Sequence, residues 1–524
     1  MKLRTIVKIA ITSSVVLLCS GFALYSFFRL SAAEGQKDFN LYELVPSTTS
    51  AVFVTDDVLE FVAEVDELTC SKNQQYLYVS KLFSYLKQSL YALSEDTPHG
   101  LSRQMNQMLI SFHEPDNERN QVLYCRLGNG DKELVNRFVR KYISSLYPPK
   151  TFIYKGEEII IYPMADGDFL ACYLTSDFMA LSFQKKLIEN VIDAYKSGKS
   201  LADDSTFTGI RAPKKSAAAA TIYTRMQGMM GWTEFDMKMK DDFIYFSGIT
   251  HDADTCFAFI NQLRQQQSVK GFPGEVLPST AFYFSRQGIT DWVSLLSYGN
   301  AQGQSVPART SEVQNRDKEF SCYLMENAGQ DLVACLFQRE DTLQGAAAVL
   351  SLSVADVTEA ERMLRALVNA ASADEGRRNP RITFCYTVNK AYPIYRLPQT
   401  TLFEQLTSFA EPTLDVYAAF YGGRLLLAPD ADALAHYIRQ LDKGEVLNGA
   451  MVYQTGMDHL SDSYHFMLMA DFDHIFQQSE NHVRFVPDFF LRNADFFRHF
   501  TLFVQFACAD GVVYPNIVLK YKSE

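Results

Sequence analysis

Apolar residues along the chain fall mainly into short runs bounded by turn-forming residues, a pattern typical of strands joined by tight turns. The runs at 107–112 and 121–127 predict one pair of strands, and those at 331–337 and 345–352 predict another. Other segments place apolar residues three and four positions apart, which is the spacing of one helix face. Because most neighbouring strands are joined by short turns, we predict an α+β fold of mainly antiparallel sheets with packed helices.

A short phrase occurs twice and divides the chain. Residues 43–48 read ELVPST before an apolar run, and residues 275–280 read EVLPST before another. Proline lacks an N–H and is tolerated at the first residue of a strand, so each phrase predicts a strand start. The two prolines lie 232 residues apart, just under half of the 524 residues. This spacing predicts two pseudo-repeated halves, 41–255 and 274–524, joined by a linker at 256–273.

Further matches between the halves occur at two other spacings. Two strands and a helix recur 225 residues on, which pairs Phe138 with Met363. A hairpin and the helix after it recur 246 residues on, which pairs Ile192 with Ile438. The helix in each half is followed by a glycine, Gly198 or Gly444, as expected where a helix ends in the left-handed conformation. Both members of each apolar pair are expected to be buried.

Two differences between the halves are also expected. Residues 298–318 are rich in glycine, glutamine, serine and arginine, and they predict a loop where the first half carries an amphipathic helix at 74–93. Residues 398–412 predict an insertion, because the spacing between matched residues increases from 225 to 246 around them.

The N-terminus predicts a membrane anchor. Residues 1–8 carry three basic side chains, and residues 9–28 carry no charge. A helix of that length spans roughly 30 Å, the thickness of a bilayer's hydrocarbon core. Because basic flanks stay cytoplasmic, residues 1–8 form a cytoplasmic tail, 29–40 a tether, and the rest lies in the periplasm. The expected location is therefore a single-pass protein of the bacterial inner membrane.

Two other fates of this N-terminal segment stay open. A secretory signal cleaved near Ala33 would use Ser31-Ala32-Ala33 as its small-residue site and release the rest of the chain. A lipoprotein would use Cys19, although Leu18 before it is larger than the small residue expected there.

Charge and cysteine usage exclude some classes of function. The net charge is −12, and no dense run of lysine or arginine follows the first residues, which argues against nucleic-acid binding. None of the nine cysteines forms a C-x-x-C pair, so no zinc ribbon or thioredoxin-type motif is predicted. Five cysteines lie in apolar runs and are expected to be buried free thiols: Cys125, Cys172, Cys335, Cys385 and Cys508.

Three polar clusters carry residue types used in catalysis or ligand binding. Ligand-type side chains lie at His251, Asp252 and Cys256, but a turn and a helix cap explain them without a metal. Asp471, close to His474, precedes an apolar helix start, so it is expected to cap that helix. The segment 128–130 (GNG) is a turn without the sequence context that cradles phosphate. We predict no catalytic, cofactor-binding or metal site.

A phenylalanine-rich stretch follows Pro487, within residues 485–506. A core helix leading into a core strand is the expected explanation. The alternative is an apolar groove for a lipid tail or a partner. That groove would be formed near Phe489, Phe490, Phe496 and Phe497.

The layout resembles a bacterial family of membrane-anchored proteins labelled domain of unknown function 3352. The resemblance rests on the anchor 9–28, the LVPST strand start at 44–48 and its echo at 276–280, and it would cover most of residues 40–524. That family has no assigned activity or catalytic residues. The resemblance therefore implies an anchored extracytoplasmic protein and no particular chemistry.

The preferred hypothesis is a non-catalytic, membrane-anchored envelope protein that binds a ligand or a protein partner. An envelope hydrolase with residues scattered in sequence is the alternative from another class, and it requires a nucleophile, a base and an orienting acid in one cleft. A carrier of an apolar ligand such as a lipid is a third hypothesis, and it requires a cavity between sheet and helices.

Overall fold

The protein is seen here in a computed structural model. The described residues are 39–73, 105–113, 119–128, 131–138, 147–164, 167–211, 218–225, 231–250, 258–293, 295–296, 311–339, 345–374, 382–388, 390–407, 413–477, 486 and 488–522. The predicted anchor 9–28 and the cluster 251–256 lie outside them. Among the described residues, no helix is both long and apolar enough to cross a bilayer.

Strands account for much of both halves. The first half contains β1 (Ala51–Thr55), β2 (Met108–Phe112), β3 (Gln121–Arg126), β4 (Lys150–Tyr154), β5 (Glu157–Pro163), β6 (Phe169–Leu174), β7 (Phe178–Ser182), β8 (Ala220–Thr224), β9 (Thr233–Lys240) and β10 (Phe243–Thr250). The second contains β11 (Val269–Lys270), β12 (Ala281–Gly288), β13 (Ala328–Gln338), β14 (Ala346–Val354), β15 (Ile382–Tyr386), β16 (Ala391–Arg396), β17 (Tyr417–Tyr421), β18 (Arg424–Ala428), β19 (Ser463–Tyr464), β20 (Phe466–Asp471), β21 (Phe500–Ala509) and β22 (Val512–Tyr521).

Helices connect or cover these strands. In the first half they are α1 (Val58–Glu67), α2 (Thr69–Lys72), α3 (Asp131–Phe138), α4 (Lys185–Ser197) and α5 (Ser205–Ile210). The predicted linker contributes α6 (Ala258–Gln265). The second half adds α7 (Ser311–Asn327), α8 (Val357–Asp374), α9 (Leu402–Leu406), α10 (Ala431–Asp442), α11 (Met451–Met457), α12 (Phe472–Phe476), α13 (Asp488–Arg492) and α14 (Ala494–Phe497). Short 3₁₀ turns lie at Leu41–Leu44, Pro273–Val276 and Leu447–Gly449.

Twenty of the strands form one sheet in which neighbouring strands are antiparallel. The first half runs β4-β5-β6-β7-β3-β2-β1-β8-β9-β10, and the second runs β15-β16-β17-β18-β14-β13-β12-β20-β21-β22. Strand for strand, the two orders are the same. The predicted α+β class with mainly antiparallel strands is confirmed, and the described strands have the shared order expected of two pseudo-repeated halves.

The halves join edge to edge through β10 and β22. These two strands occupy the same place in their respective halves. Ser247 pairs with Asn516, and its hydroxyl donates to the Asn516 side-chain oxygen at 2.9 Å. Because two equivalent strands pair antiparallel here, the halves are related by an approximate two-fold axis near this residue pair.

Two of the predicted spacings meet at one point of the fold. Pro46 forms a bridge with Ser200, and Pro278 forms the same bridge with Val446. The first members of these pairs are 232 residues apart and the second members are 246 apart, as the sequence pattern predicts. Ile192 and Ile438 are both fully buried, as expected. Gly198 and Gly444 both have positive φ, 64° and 76°, at the end of α4 and just after α10.

The third predicted spacing, 225, is wrong by one or two residues. Leu123 of β3 pairs with Leu181, and Leu350 of β14 pairs with Leu427, so β3 and β14 correspond at 227. In the same way Ile110 corresponds to Ala334, a spacing of 224 for β2 and β13. These strands are apolar on both faces, so their sequences lack the alternation that fixes register. The Phe138 side chain lies outside the described ones, so its match with Met363 stays a prediction.

The predicted loop at 298–318 is also wrong over its second part, because α7 begins at Ser311. Its buried residues Val313, Asp317, Phe320 and Leu324 are three or four positions apart. That stripe starts inside the polar segment and extends past its end, so a prediction from composition missed it. The predicted helix 74–93 of the first half lies outside the described residues.

The predicted insertion at 398–412 is confirmed as extra chain between β16 and β17, containing α9. Asp317 of α7 is buried and holds this segment. Its carboxylate accepts hydrogen bonds from the Thr400 hydroxyl at 2.7 Å, the Thr401 backbone N–H at 2.8 Å and the Thr401 hydroxyl at 2.7 Å. A charge buried without a cation is stable only when donors satisfy it in this way.

Strand residues alternate between two buried faces. One face forms a core shared by both halves, in which Phe53 and Ile110 of the first half and Leu332 and Leu350 of the second take part. The other face forms a separate core in each half, covered by α4 in the first and by α10 in the second. Because both faces are covered, the central strands read as continuous apolar runs.

Candidate functional site

A cavity of about 210 Å³ opens on the α4-covered side of the first half. It lies between the 3₁₀ turn Leu41–Leu44 and the ends of β1, β2, β3 and β8. We call it the tyrosine pocket. Its walls are formed by Leu41, Tyr42, Val54, Thr55, Asp56, Gln107, Leu109, Arg126, Arg211, Ala218, Ala219, Ala220, Thr221 and Tyr223.

Two tyrosines line the pocket with hydroxyls that make no hydrogen bond to any described residue. Tyr42 is 7% exposed and Tyr223 is 4% exposed. Both rings are fixed by Phe207, at centroid distances of 5.2 and 5.1 Å. Burial raises the pKa of Tyr42, and burial likewise raises the pKa of Tyr223 to about 12. Both hydroxyls are therefore protonated near neutral pH and able to donate.

Charged groups surround these hydroxyls. The Arg211 guanidinium lies 4.0 Å from the centre of the Tyr42 ring, a cation–π contact. Arg126 reaches the same cavity from the end of β3. Asp56 is the one carboxylate of the lining, and it accepts a hydrogen bond from the Gln107 side-chain amide. The lining thus carries two positive charges and one negative charge.

The remaining hydroxyls of the lining are already committed. Thr55 donates to the Ala219 carbonyl at 2.9 Å, and Thr221 donates to the Asp236 carboxylate at 3.1 Å. The donors that stay available to a ligand are therefore the two tyrosine hydroxyls and the Arg211 guanidinium.

The equivalent place in the second half is filled by the protein itself. Tyr464 stands where the first half has Ala218, and Arg286 stands where it has Val54. Arg286 donates to the Gly271 carbonyl at 2.8 Å, to the Tyr464 hydroxyl at 3.3 Å and to the Asp331 carboxylate at 3.0 Å. Alanine at 218 removes the ring that would otherwise occupy this space, so the pocket exists because of small side chains on β8 and just before it.

Asp331 binds two arginines in this filled site. Arg424 reaches its carboxylate at 3.3 Å and is itself held by the Ser351 hydroxyl at 2.6 Å. Burial alone would raise the pKa of Asp331, but the arginines and the Ser353 hydroxyl outweigh it and hold that pKa below its usual value. We call Arg286, Asp331, Arg424 and Tyr464 the arginine network.

The polar clusters singled out from sequence do not converge on the tyrosine pocket. Asp471 caps α12 by accepting from the Asp473 N–H at 3.1 Å, as predicted, and also binds His474 at 3.1 Å and Lys522 at 2.6 Å. Gly128 donates its N–H to Asp131 at 2.6 Å, while the rest of that turn lies outside the described residues. No group of three metal-ligating side chains occurs within the described ranges, which do not include 251–256.

The phenylalanine-rich stretch packs mainly into the shared core. Phe497 is 7% exposed, and Phe490 and Phe496 are half-buried. Phe490 stacks on Phe472 with centroids 4.9 Å apart, and Phe496 contacts Phe500 at 4.9 Å. The expected core explanation holds for these residues. The Phe489 side chain is not among the described ones, and a partner near Phe489, Phe490, Phe496 and Phe497 stays a prediction.

The hydrolase alternative finds one serine–histidine contact in the first half. The Ser111 hydroxyl lies 2.9 Å from His113 Nε2 and 3.1 Å from the Tyr124 hydroxyl. Ser111 is fully buried, and burial lowers the pKa of His113 to about 4. In the described part of the chain no carboxylate orients this histidine. The contact therefore has the features of an interior hydrogen bond between strand residues.

Cysteine placement follows the sequence expectation. Cys125, Cys172, Cys335 and Cys385 are buried free thiols, and Cys508 is half-buried. Burial raises the pKa of Cys125 and of Cys172 to about 12, so these thiols stay protonated and unreactive near neutral pH.

Sequence reasoning missed the tyrosine pocket. Its one signal in the sequence is the alanine run 217–220 before β8, which the 246-residue spacing aligns with residues 463–466 (SYHF). The replacement of Tyr464 by Ala218 at that alignment marks a missing ring. The chain matches no family model, and no curated protein or solved structure is detectably similar to it.

Proposed function

We propose that this protein is a membrane-anchored extracytoplasmic protein of the bacterial envelope that binds a ligand in the tyrosine pocket without catalysing a reaction. The supporting observation is the contrast between the halves. The same strand order encloses an open, polar cavity in one half and a filled arginine network at the equivalent place in the other. A fold that can fill this space with its own side chains has no structural need for the cavity.

The membrane part of the proposal is supported by sequence. Lys2, Arg4 and Lys8 precede the uncharged segment 9–28, and the resemblance to an anchored family is consistent with this arrangement. A reporter that is active only in the periplasm, fused after Glu524, is expected to be active. Activity of a cytoplasmic reporter at the same position would reject the orientation.

The binding part is tested by filling the pocket as the second half does. The variant Ala218→Tyr is expected to remove a small-molecule mass seen by native mass spectrometry of the full-length chain released from its membrane. Ala509→Tyr places the same ring on an exposed strand position and is expected to keep that mass. Equal retention of the ligand by both variants would show that the pocket is not its site. Absence of any ligand mass in the wild type would count against the function itself.

A further inference from the structure

We propose that the tyrosine pocket binds a small organic carboxylate with a single negative charge. This inference rests on the proposed function and names the ligand class of the same site. The observation that carries it is the convergence of three donors on one cavity: the hydroxyls of Tyr42 and Tyr223, both at least nine-tenths buried, and the Arg211 guanidinium.

The available groups at this end of the pocket are donors, so their natural partner is a group that only accepts. A carboxylate offers about four lone-pair positions and no proton, and it takes two N–H bonds from one guanidinium side by side. The two phenol hydroxyls satisfy the remaining positions. Buried hydroxyls without any partner are costly, so a ligand that accepts from them gains binding energy from the protein's own deficit.

The charge and size of the pocket limit the ligand further. Arg126 and Arg211 with Asp56 leave one net positive charge in the lining, which suits a monoanion better than a dianion such as phosphate. The cavity of about 210 Å³ is smaller than the sites that hold drug-sized molecules, so the ligand has few heavy atoms. Leu41, Val54 and Leu109 supply an apolar wall for its carbon part.

The second half shows that these donors are not needed to build the fold. The equivalents of Tyr42, Tyr223 and Arg211 are Gly274, Met469 and Met457. The strand order is the same without the two hydroxyls and the guanidinium. Their presence in the first half is therefore explained by what they bind.

The test is calorimetric titration of the full-length chain in nanodiscs with acetate, propionate and benzoate. Matched probes are propionamide, which has the shape of propionate without its charge, and inorganic phosphate. We expect at least one carboxylate to bind saturably and propionamide to bind at least about tenfold more weakly, since charge-assisted hydrogen bonds are stronger than neutral ones.

Variants of the donors separate their contributions. Arg211→Gln should weaken carboxylate binding about tenfold or more, and Tyr42→Phe and Tyr223→Phe should each weaken it about two- to tenfold while keeping the ring packing. Tyr514→Phe and Lys238→Gln, which alter exposed residues on β22 and β9, should leave it unchanged. Unchanged thermal unfolding of the variants confirms that they fold.

Several outcomes would overturn the proposal. Equal binding of propionamide, unaltered binding to Arg211→Gln, or tighter binding of phosphate each contradicts a monoanionic carboxylate. Failure of all three carboxylates to bind contradicts it as well. In those cases a native ligand mass that Ala218→Tyr still removes would leave the proposed function standing, and loss of that mass effect would remove both.

Discussion

The two halves of this protein have one strand order and opposite solutions at the same strand ends. In the first half the space beside Val54 and Ala218 is an open cavity with tyrosine hydroxyls in its wall. In the second half Arg286 and Tyr464 occupy that space and hydrogen-bond to Asp331 and the Gly271 carbonyl. The backbone thus tolerates either a cavity or a buried charge network, and a few side chains decide which one forms.

The difference also determines where each half is vulnerable. A cavity that faces solvent can hydrate its polar groups, so single substitutions there cost little stability. A buried network loses far more when one member is removed, because the other charges remain in a poorly solvated place. The chain's two tryptophans, Trp232 in the first half and Trp292 in the second, allow each half to be followed separately.

The largest effect is expected for Asp331→Ala. It leaves Arg286 and Arg424, which it binds at 3.0 and 3.3 Å, buried without their carboxylate. The expected loss is about 3–5 kcal/mol in the free energy of unfolding, measured by urea titration with Trp292 fluorescence. Gln107→Ala, the matched change beside the tyrosine pocket, should cost less than about 1 kcal/mol by Trp232 fluorescence. Equal losses would show that the two sites do not differ in the way described.

A second contrast predicts how stability depends on pH. His113 corresponds to Phe337, so one half places a titratable ring where the other places a fully buried apolar one. Burial lowers the pKa of His113 to about 4, against about 6.5 for an unfolded histidine. Between these values the unfolded state binds the proton and the folded state does not, so stability falls as the pH falls. The expected loss is roughly 3 kcal/mol from pH 7 to pH 4.

The variant His113→Phe copies the second half and isolates this term. It should remove that part of the pH dependence while leaving the acid loss caused by carboxylates, such as Asp331, whose pKa is held low. Urea titrations at pH 7, 5.5 and 4 measure the difference between variant and wild type. An unchanged slope against pH would show that His113 is protonated in the folded state.

Some of this architecture can be predicted from the sequence, and the rest depends on contacts that periodicity does not encode. The Pro46 and Pro278 strand starts and the Gly198 and Gly444 helix ends are local signals, so both spacings they define match the structure. The register of β2 against β13 is not local. Apolar residues on both faces make a shift of one position invisible in the sequence, although it moves a side chain to the other core.

The candidate site was beyond sequence reasoning for a related physical reason. Tyr42, Arg211 and Tyr223 are far apart in the chain and fit no motif with fixed spacing. They meet only because the 3₁₀ turn before β1, the chain after α5 and β8 converge. A cavity is a property of absent atoms, and its nearest sequence signal is the alanine at 218 in place of the tyrosine at 464.

A smaller effect is expected from two glycines in equivalent helices. In α11, a Cβ at Gly456 would lie 2.2 Å from the Phe503 ring, which is fully buried and held by its neighbours. Gly456→Ala should therefore destabilise the second half by about 1–3 kcal/mol. In α5, a Cβ at Gly209 meets no atom within 4 Å. Gly209→Ala should leave stability unchanged or raise it by up to about 1 kcal/mol, because alanine favours helix.

Denaturation of both glycine variants, followed at the tryptophan of the same half, gives this comparison directly. A neutral Gly456→Ala would mean that the Phe503 ring can move aside, and the two helices would then be packed alike.

The smallest effect concerns the start of the matching helices α4 and α10. Asp430 caps α10 by accepting from the Ala433 N–H at 2.7 Å, whereas Gln184 at the equivalent position of α4 makes no side-chain cap. Asp430→Ala should cost about 1 kcal/mol, and Asp430→Asn should restore most of it, since asparagine caps equally well. The Arg339 pair of Asp430 is partly exposed and contributes little. Gln184→Ala is the matched control and loses no cap. Chemical denaturation of the three variants, followed by the fluorescence of each half, decides the point. If Asp430→Asn were as unstable as Asp430→Ala, the ion pair and not the cap would be what stabilises α10.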